Sequence, residues 1–213
     1  MGHLGDSNKL TFVGKIGSLT VLNTLDTIFA STVHNNRIRE VYPPGPLTNN
    51  TTTLSGYAYG NGTYVASMSS FYGGGYEPYR AFDFNTGTWN ATSQVYSTTG
   101  AYTGTVTTTI SGIVYSGEWI QMQFPAAFML KGYVIWPESQ YNASRPMSWV
   151  VAGSSNGTVW TLLDSSTSNG ASNSPDRRAI PAVSTLCTHF RMVMMTNNKQ
   201  TSNWAGFKQL SLF

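Results

Sequence analysis

Hydrophobic and polar residues alternate one by one along much of the chain. In residues 118–124 the apolar side chains of Ile120, Met122 and Phe124 are separated by residues of mixed polarity, and residues 190–194 repeat this pattern. A period of two places successive side chains on opposite faces of a β-strand. We therefore predict that each of these segments is a strand with one face in the protein core.

Similar strand signals recur from residue 48 to the end of the chain. The predicted strands are residues 51–54, 63–67, 106–110, 118–124, 131–136, 148–152, 159–163, 189–196 and 207–212. Gly, Asn, Ser and Thr fill the gaps, and no convincing helical period of 3.6 residues interrupts the series. Short strands at this spacing are typical of an antiparallel β-sandwich. The predicted fold class is all-β.

The clearest local signal lies in residues 147–163, where Asn156-Gly157 separates two segments rich in β-branched and aromatic residues. Both residues tolerate the positive φ angle that a two-residue type I′ turn requires. We therefore predict a β-hairpin centred on this pair.

The first part of the chain has a different pattern. Short strand-like runs at residues 10–13 and 16–22 are followed by Tyr42-Pro-Pro-Gly-Pro, where consecutive prolines favour an extended segment and remove backbone donors. We predict an N-terminal arm and Pro-rich linker over residues 1–47 and a sandwich domain over 48–213. The arm either packs on this domain or docks onto another protein.

Composition narrows the possible functions. Only 10% of the 213 residues are charged, against roughly 25% in a typical soluble domain. The net charge is +3 and the basic residues are scattered, which argues against nucleic-acid binding. The single Cys187 allows no intrachain disulfide, and no signal peptide or membrane-spanning run is recognisable. This neutral surface suits an extracellular or particle-borne protein.

One motif raises the alternative of an enzyme. Residues 153–157 match Gly-x-Ser-x-Gly, and Asp164 or Asp176 followed by His189 gives the residue order of some hydrolases. That motif requires a turn from a strand into a helix that exposes the serine. Because a strand is predicted after Ser155, we expect a protein without catalytic activity.

Several stretches, in the order and spacing of one family, resemble the discoidin or coagulation factor V/VIII C-domain family, which is also called the galactose-binding-like jelly roll. They are Tyr64-Val-Ala-Ser-Met-Ser-Ser, Arg80-Ala-Phe-Asp-Phe-Asn-Thr-Gly-Thr-Trp, Glu118-Trp-Ile-Gln-Met-Gln-Phe, the predicted hairpin, Thr188-His-Phe-Arg-Met-Val and Gly206-Phe-Lys-Gln-Leu-Ser-Leu-Phe. The resemblance covers about residues 57–213. Three departures are the missing cysteine pair, Phe84 in place of a glycine, and Gln209 in place of a glutamate.

A second and looser resemblance concerns residues 41–56 and 59–64. This opening is similar to that of discoidin-like proteins from large DNA viruses of algae and protists. It implies a virion component whose N-terminal arm contacts other capsid proteins.

The family resemblance implies that a ligand binds to loops at one end of the sandwich, here residues 71–79, 86–94, 137–145 and 196–204. Aromatic side chains in these loops could stack on a sugar ring, while Arg and Asn could donate to its hydroxyl groups. The predicted ligand-binding residues are Tyr72, Tyr76, Tyr79, Arg80, Tyr141, Asn142, Arg145, Asn203 and Trp204. Insertion of these loops into a membrane is the less favoured alternative, because the loops offer Tyr and Gly.

The carbohydrate-binding branch of the family also implies a Ca²⁺ ion, for which Asp83, Asn85 and Thr88 could supply oxygen ligands. The alternative is that Asp83 only caps a turn. Together these observations predict a glycan-binding module of a virion or another extracellular assembly, with a role in adhesion. The alternative is a structural capsid protein that holds neighbouring subunits together and binds no small ligand.

Overall fold

A computed structural model describes residues 40–85, 87, 90–138, 144–168, 174–181, 185–198 and 203–213. The chain divides into two compact units, Met1–Arg39 and Glu40–Phe213. All described residues belong to the second unit. The strands predicted within residues 1–39 lie outside the described residues.

The second unit is built almost entirely from β-strands. They are β1 (Thr51–Leu54), β2 (Gly62–Met68), β3 (Asn90–Ala91), β4 (Thr107–Ile110), β5 (Ile113–Ser116), β6 (Glu118–Phe128), β7 (Gly132–Trp136), β8 (Pro146–Ser154), β9 (Thr161–Thr167), β10 (Asp176–Ala179), β11 (Cys187–Asn197), β12 (Gly206–Phe207) and β13 (Gln209–Leu212). A short 3₁₀ helix covers Pro78–Phe82.

Two sheets form the sandwich. The larger has six strands in the order β1-β2-β6-β11-β8-β9, and the smaller has the order β10-β7-β13. All neighbouring strands in both sheets are antiparallel, and at the centre Met192 lies opposite Ile120 of β6 and Val151 of β8. The prediction of an all-β antiparallel sandwich is confirmed.

The core lies between the two sheets, and the alternation in the sequence determines which residues enter it. Phe190, Met192 and Met194 on β11 are 3%, 2% and 0% exposed. Trp149 of β8 is fully buried in the same cluster. The predicted apolar face of β11 is therefore core.

A second, smaller cluster covers the opposite face of the large sheet. The hairpin of β4 and β5 packs there through Ile110, together with Trp160 and Val193. Arg191 lies between two rings of this face, at 4.1 Å from the centroid of Trp119 and 4.3 Å from that of Trp160. Desolvation by burial lowers the pKa of Arg191 to about 10.

The predicted hairpin exists, but its turn differs from the prediction. Strands β8 and β9 pair from Gly153 opposite Thr161, so residues 155–160 form a wider loop than a two-residue turn. The Ser154 hydroxyl accepts hydrogen bonds from the backbone N–H groups of Asn156 and Gly157, at 3.2 and 2.9 Å. The carbonyl of Trp160 accepts from Ser111 N at 2.9 Å, so this loop also contacts the β4–β5 turn. Gly157 has a φ of +74°, but Asn156 does not have a positive φ, and the type I′ prediction was therefore wrong.

The Pro-rich segment packs against the sandwich. Tyr42 N donates to Leu212 O at 2.8 Å, and the Tyr42 ring stacks on Phe128 at 4.4 Å. Leu47 is 1% exposed, and its N–H donates to Phe82 O at 3.0 Å. These residues belong to the compact unit that begins at Glu40, and the predicted domain boundary at residue 47 stays a prediction.

Over the described part of the chain, no helix has the length and apolar character needed to cross a membrane.

Candidate ligand-binding site

Three aromatic rings meet at one end of the sandwich, just beyond the last residue of β2. The ring of Tyr72 lies 5.4 Å from that of Tyr76 and 5.2 Å from that of Trp204. Tyr72 is 48% exposed, and Tyr76 and Trp204 are half-buried. We call Tyr72, Tyr76 and Trp204 the aromatic surface. It joins residues from two predicted loops that are far apart in the sequence.

The loop that carries both tyrosines is held by backbone hydrogen bonds and by glycine. Tyr72 N donates to Ala91 O at 3.0 Å, and Tyr76 N donates to Gly73 O at 3.2 Å. Gly73 and Gly75 have φ angles of +148° and +99°, which side-chain-bearing residues rarely adopt. The glycines therefore allow the sharp bend that brings Tyr76 back towards Tyr72.

Arg80 lies in the 3₁₀ helix that follows this loop, and its charge is paired. Its Nε donates to Glu77 Oε2 at 2.7 Å, and its guanidinium lies 5.2 Å from the centroid of the Tyr79 ring. Glu77 Oε1 accepts from Gly75 N at 2.9 Å. This backbone hydrogen bond and the contact with Arg80 lower the pKa of Glu77. The ion pair thus links the glycine turn to Arg80, while Tyr79 packs against the core.

The segment that carries Trp204 is fixed by its backbone. Asn203 O accepts from Tyr96 N at 2.9 Å, and Trp204 O accepts from the side-chain amide of Asn197 at 2.8 Å. The indole Nε1 of Trp204 is buried and has no hydrogen-bond partner among the described residues. Asn203 and Trp204 therefore lie where the resemblance implied, at the same end of the sandwich as Tyr72.

Arg145 is at this end too, but its side chain points inward. Its backbone carbonyl accepts from Asn198 N at 2.8 Å. Its guanidinium is 1% exposed, donates to Ser174 O at 2.9 Å and forms an ion pair with the buried Asp176. The structure therefore does not bring the Arg145 side chain to the aromatic surface. Its role in ligand binding stays a prediction, and the predicted residues Tyr141 and Asn142 lie outside the described residues.

Sequence reasoning did not select Phe71, which is 45% exposed beside Tyr72. The residue lies within the predicted loop 71–79. The signal in the sequence was its position next to Tyr72 and two residues before a glycine run, which offers no side chains to cover a ring.

The predicted calcium ligands lie in a turn after the 3₁₀ helix. Asp83 Oδ1 accepts from Asn85 N, and Asn85 Oδ1 accepts from Gly87 N, both at 2.9 Å. These contacts fit the alternative in which Asp83 caps the turn. Among the described residues, no group of three or more His, Cys, Asp or Glu side chains could hold a metal ion, and Thr88 lies outside them. A Ca²⁺ ion at this turn stays a prediction.

The hydrolase-like motif does not form a catalytic arrangement within the described part of the chain. Ser155 lies in the loop between two strands, so the required turn into a helix is missing. His189 Nδ1 pairs with the Thr188 hydroxyl at 2.9 Å, and burial followed by the charge of Arg191 lowers the pKa of His189. Asp164 accepts from Tyr133 and Ser166 instead of His189.

No protein-family model matches the sequence, and no curated protein does so either. The fold does have similar solved structures. The family 32 carbohydrate-binding module of Clostridium perfringens NanJ, solved with galactose, has a TM-score of 0.53 at 15% identity, covering 70% of this chain and 92% of that one. The C. perfringens module CpGH89CBM32-5, solved with GalNAc-β-1,3-galactose, has a TM-score of 0.52 at 13% identity and covers 70% and 94%.

A third similar structure is CBM32-3 from a family 31 glycoside hydrolase of C. perfringens. Its TM-score is 0.53 at 12% identity, and the match covers 68% of this chain and 86% of that one. At these identities the likeness shows the fold. The chain has an antiparallel β-sandwich like that of these carbohydrate-binding modules.

Proposed function

We propose that this protein is a non-catalytic carbohydrate-binding module and that a glycan binds at the aromatic surface. The observation that carries this proposal is the contact of Tyr72 with both Tyr76 and Trp204 at a solvent-exposed end of the sandwich. An exposed aromatic ring that is already packed against two others loses little freedom when a ligand binds. Such a surface is suited to the apolar face of a sugar ring.

Polar groups around the rings support recognition of a sugar rather than of a purely apolar ligand. Arg80 is 22% exposed in its side chain, and Asn203 is half-buried beside Trp204. Both can donate hydrogen bonds to hydroxyl groups. Glu77, which accepts from Gly75 N in the loop between the two tyrosines, forms an ion pair with Arg80 at 2.7 Å, so this pair carries no net charge. The galactose-containing ligands named for two structural neighbours make galactosides the first compounds to test.

The proposal is tested by comparing two exposed tyrosines on a glycan array. Tyr72 follows β2 and is 48% exposed, while Tyr57 precedes β2 and is 38% exposed. We expect Tyr72→Ala to weaken retention of the bound glycan by roughly tenfold, the equivalent of about 1.4 kcal/mol. Tyr57→Ala is the matched control and should bind as the parent does. Equal retention by all three proteins, or no glycan bound by the parent, would contradict the proposal.

A second candidate ligand is a lipid surface, and one observation favours it. Phe71 and Tyr72 are adjacent in sequence and are 45% and 48% exposed, so the loop presents two large rings to solvent. Aromatic side chains are favoured at the interface between lipid headgroups and acyl chains. Sedimentation with phosphatidylserine vesicles distinguishes the two candidate ligands. A protein that binds only sugars stays in the supernatant, whereas a protein that binds the lipid surface sediments with the vesicles.

The biological setting and the N-terminal arm remain predictions from the sequence resemblance. We propose that residues 1–39 attach the module to a virion or another extracellular assembly. A variant that starts at Glu40 should fold, since Tyr42 and Leu47 are retained on the sandwich. It should then fail to join the assembly. The alternative is a structural protein without a small ligand. Such a protein would bind no glycan on the array and would still need residues 1–39 to join the assembly.

A further inference from the structure

A buried carboxylate contacts the first residues of the loop that carries Tyr72 and Tyr76. Glu118 is the first residue of β6 and is 2% exposed. Its Oε2 accepts hydrogen bonds from the hydroxyls of Ser69 at 2.5 Å and Ser70 at 2.7 Å, and its Oε1 accepts from the Tyr102 hydroxyl at 2.9 Å. Within the described residues, no Lys, Arg or His forms an ion pair with it. A buried charge without a counterion needs such donors.

The three donors come from the two loops that flank β3. Ser69 and Ser70 begin the loop that carries Tyr72 and Tyr76, and Tyr102 lies in the loop between β3 and β4. Burial, together with the hydrogen bond to Glu118, raises the pKa of Tyr102 to about 12. Glu118 therefore joins two chain segments that have no strand pairing with each other.

Each serine also links the carboxylate to a backbone group. The Ser69 hydroxyl accepts from Trp119 N at 2.8 Å, and the Ser70 hydroxyl accepts from Ser93 N at 3.1 Å. The Ser93 hydroxyl donates to Phe71 O at 3.3 Å. The chain of contacts thus runs from Glu118 through Ser70 and Ser93 to the residue before Tyr72.

We propose that Glu118 is a positioning residue that holds the Tyr72 loop against Trp204. The carboxylate accepts two adjacent hydroxyls at the start of the loop, and this double contact fixes the direction in which the next residues leave β2. The consequence for ligand binding rests on the proposed function above. The positioning itself is a property of the free protein and can be measured without any glycan.

The test uses fluorine NMR of protein labelled with 5-fluorotryptophan. Trp204→Phe identifies the Trp204 signal, and Tyr72→Leu shows how that signal moves when the neighbouring ring is lost. Glu118→Gln keeps the side-chain shape. We expect it to broaden the Trp204 signal or to move it in the direction in which Tyr72→Leu moves it. Ser70→Ala should do the same, and Ser70→Thr, which retains the hydroxyl, should restore the parent signal. If Glu118→Gln does not fold, Ser70→Ala still tests the proposal.

Tyr133→Phe is the control for a merely structural effect. It removes a buried hydrogen bond to Asp164 and the acceptor of Trp149 Nε1 at 2.7 Å, so it should lower the melting temperature and move the Trp149 signal. The Trp204 signal should stay in place. The proposal is overturned if Glu118→Gln and Ser70→Ala lower the melting temperature yet leave the Trp204 signal unchanged, or if Ser70→Thr fails to restore it. A blank glycan array would contradict the proposed function and leave this result unaffected.

Discussion

The two ends of strand β2 carry clusters of aromatic side chains that differ in exposure. Beyond the end of β2 lies the aromatic surface, where Tyr72 is 48% exposed. Around its start lies a second set, which we call the entry cluster. Its members are Tyr42, Tyr59, Tyr64, Phe124 and Phe128.

Two hydroxyl groups of the entry cluster donate to backbone carbonyls. Tyr64 is fully buried, and its hydroxyl donates to Gly60 O at 2.7 Å. The hydroxyl of Tyr59 donates to Val41 O at 3.1 Å and so holds the incoming chain. The difference between the ends lies in the partners: strands and prolines enclose one cluster, while a glycine turn presents the other to solvent. Aromatic content alone does not distinguish a structural cluster from a binding surface.

The largest expected effect separates the two ends by stability. Tyr64→Ala should lower the free energy of unfolding by about 3–5 kcal/mol, because a fully buried ring is replaced by a cavity. Tyr72→Ala should change it by about 0.5 kcal/mol or less, as is usual for exposed positions. Urea denaturation of both variants measures the difference. Similar losses at the two positions would show that the aromatic surface is also structural.

A second pair of variants sharpens the comparison at the end of the sandwich that carries the aromatic surface. Arg145→Ala should cost about 3 kcal/mol, because it removes the buried partner of the Asp176 carboxylate and leaves only the more distant Arg178, at 3.7 Å. Arg80→Ala should cost less than about 1 kcal/mol, since the Glu77–Arg80 pair is partly exposed. The same denaturation experiment compares them. Unchanged stability of Arg145→Ala would contradict the structural role that its burial indicates.

The entry cluster should also make stability depend on alkaline pH. Burial, followed by the hydrogen bond with Glu40, raises the pKa of Tyr42 to about 12. Since the unfolded chain ionises near its ordinary value of about 10, this tyrosine stabilises the fold below that pH, and the contribution is lost as pH rises towards about 12. Melting temperatures of the parent should therefore fall across this interval. Tyr42→Phe should show a smaller fall, and an identical pH profile would argue against the raised pKa.

The smallest expected effect concerns the glycine turn of the aromatic surface. Gly75→Ala should cost about 1 kcal/mol, because its φ of +99° strains a residue with a side chain. Gly74→Ala has open space at the Cβ position and Gly74 does not have a left-handed φ, so this substitution should be neutral or slightly stabilising. Thermal melting distinguishes the pair. Equal effects would mean that the loop does not require glycine at residue 75.

Most of the strands could be predicted from the sequence, because alternation of apolar side chains is a local property. Strand β10 was missed, since Asp176-Arg-Arg-Ala contains three charged residues and no alternation of the usual kind. Arg145 was selected from its place in the loop that the family resemblance implied, and its ion pair with the buried Asp176 of β10 could not be seen from the sequence.

The type I′ turn predicted at Asn156 was wrong, and the packing of residues 42–47 on the sandwich was not foreseen, for a related reason. Both depend on contacts with distant parts of the chain, namely Ser111 with Trp160 and Tyr42 with Leu212. The loops of the candidate site came from the family resemblance. The spacing of the residues did not show that Tyr72 and Trp204 touch, and the Glu118 contacts likewise required the structure.

The central claim is that the aromatic surface binds the glycan and the entry cluster does not. It is tested most directly by titrating the strongest ligand from the glycan array into isotopically labelled protein and recording amide and indole NMR shifts. The account predicts that the largest shifts fall on Tyr72, Tyr76 and the indole N–H of Trp204, while Tyr59 and Tyr64 stay unchanged. Shifts centred on the entry cluster, or on the outer face of the large sheet around Trp160, would contradict it.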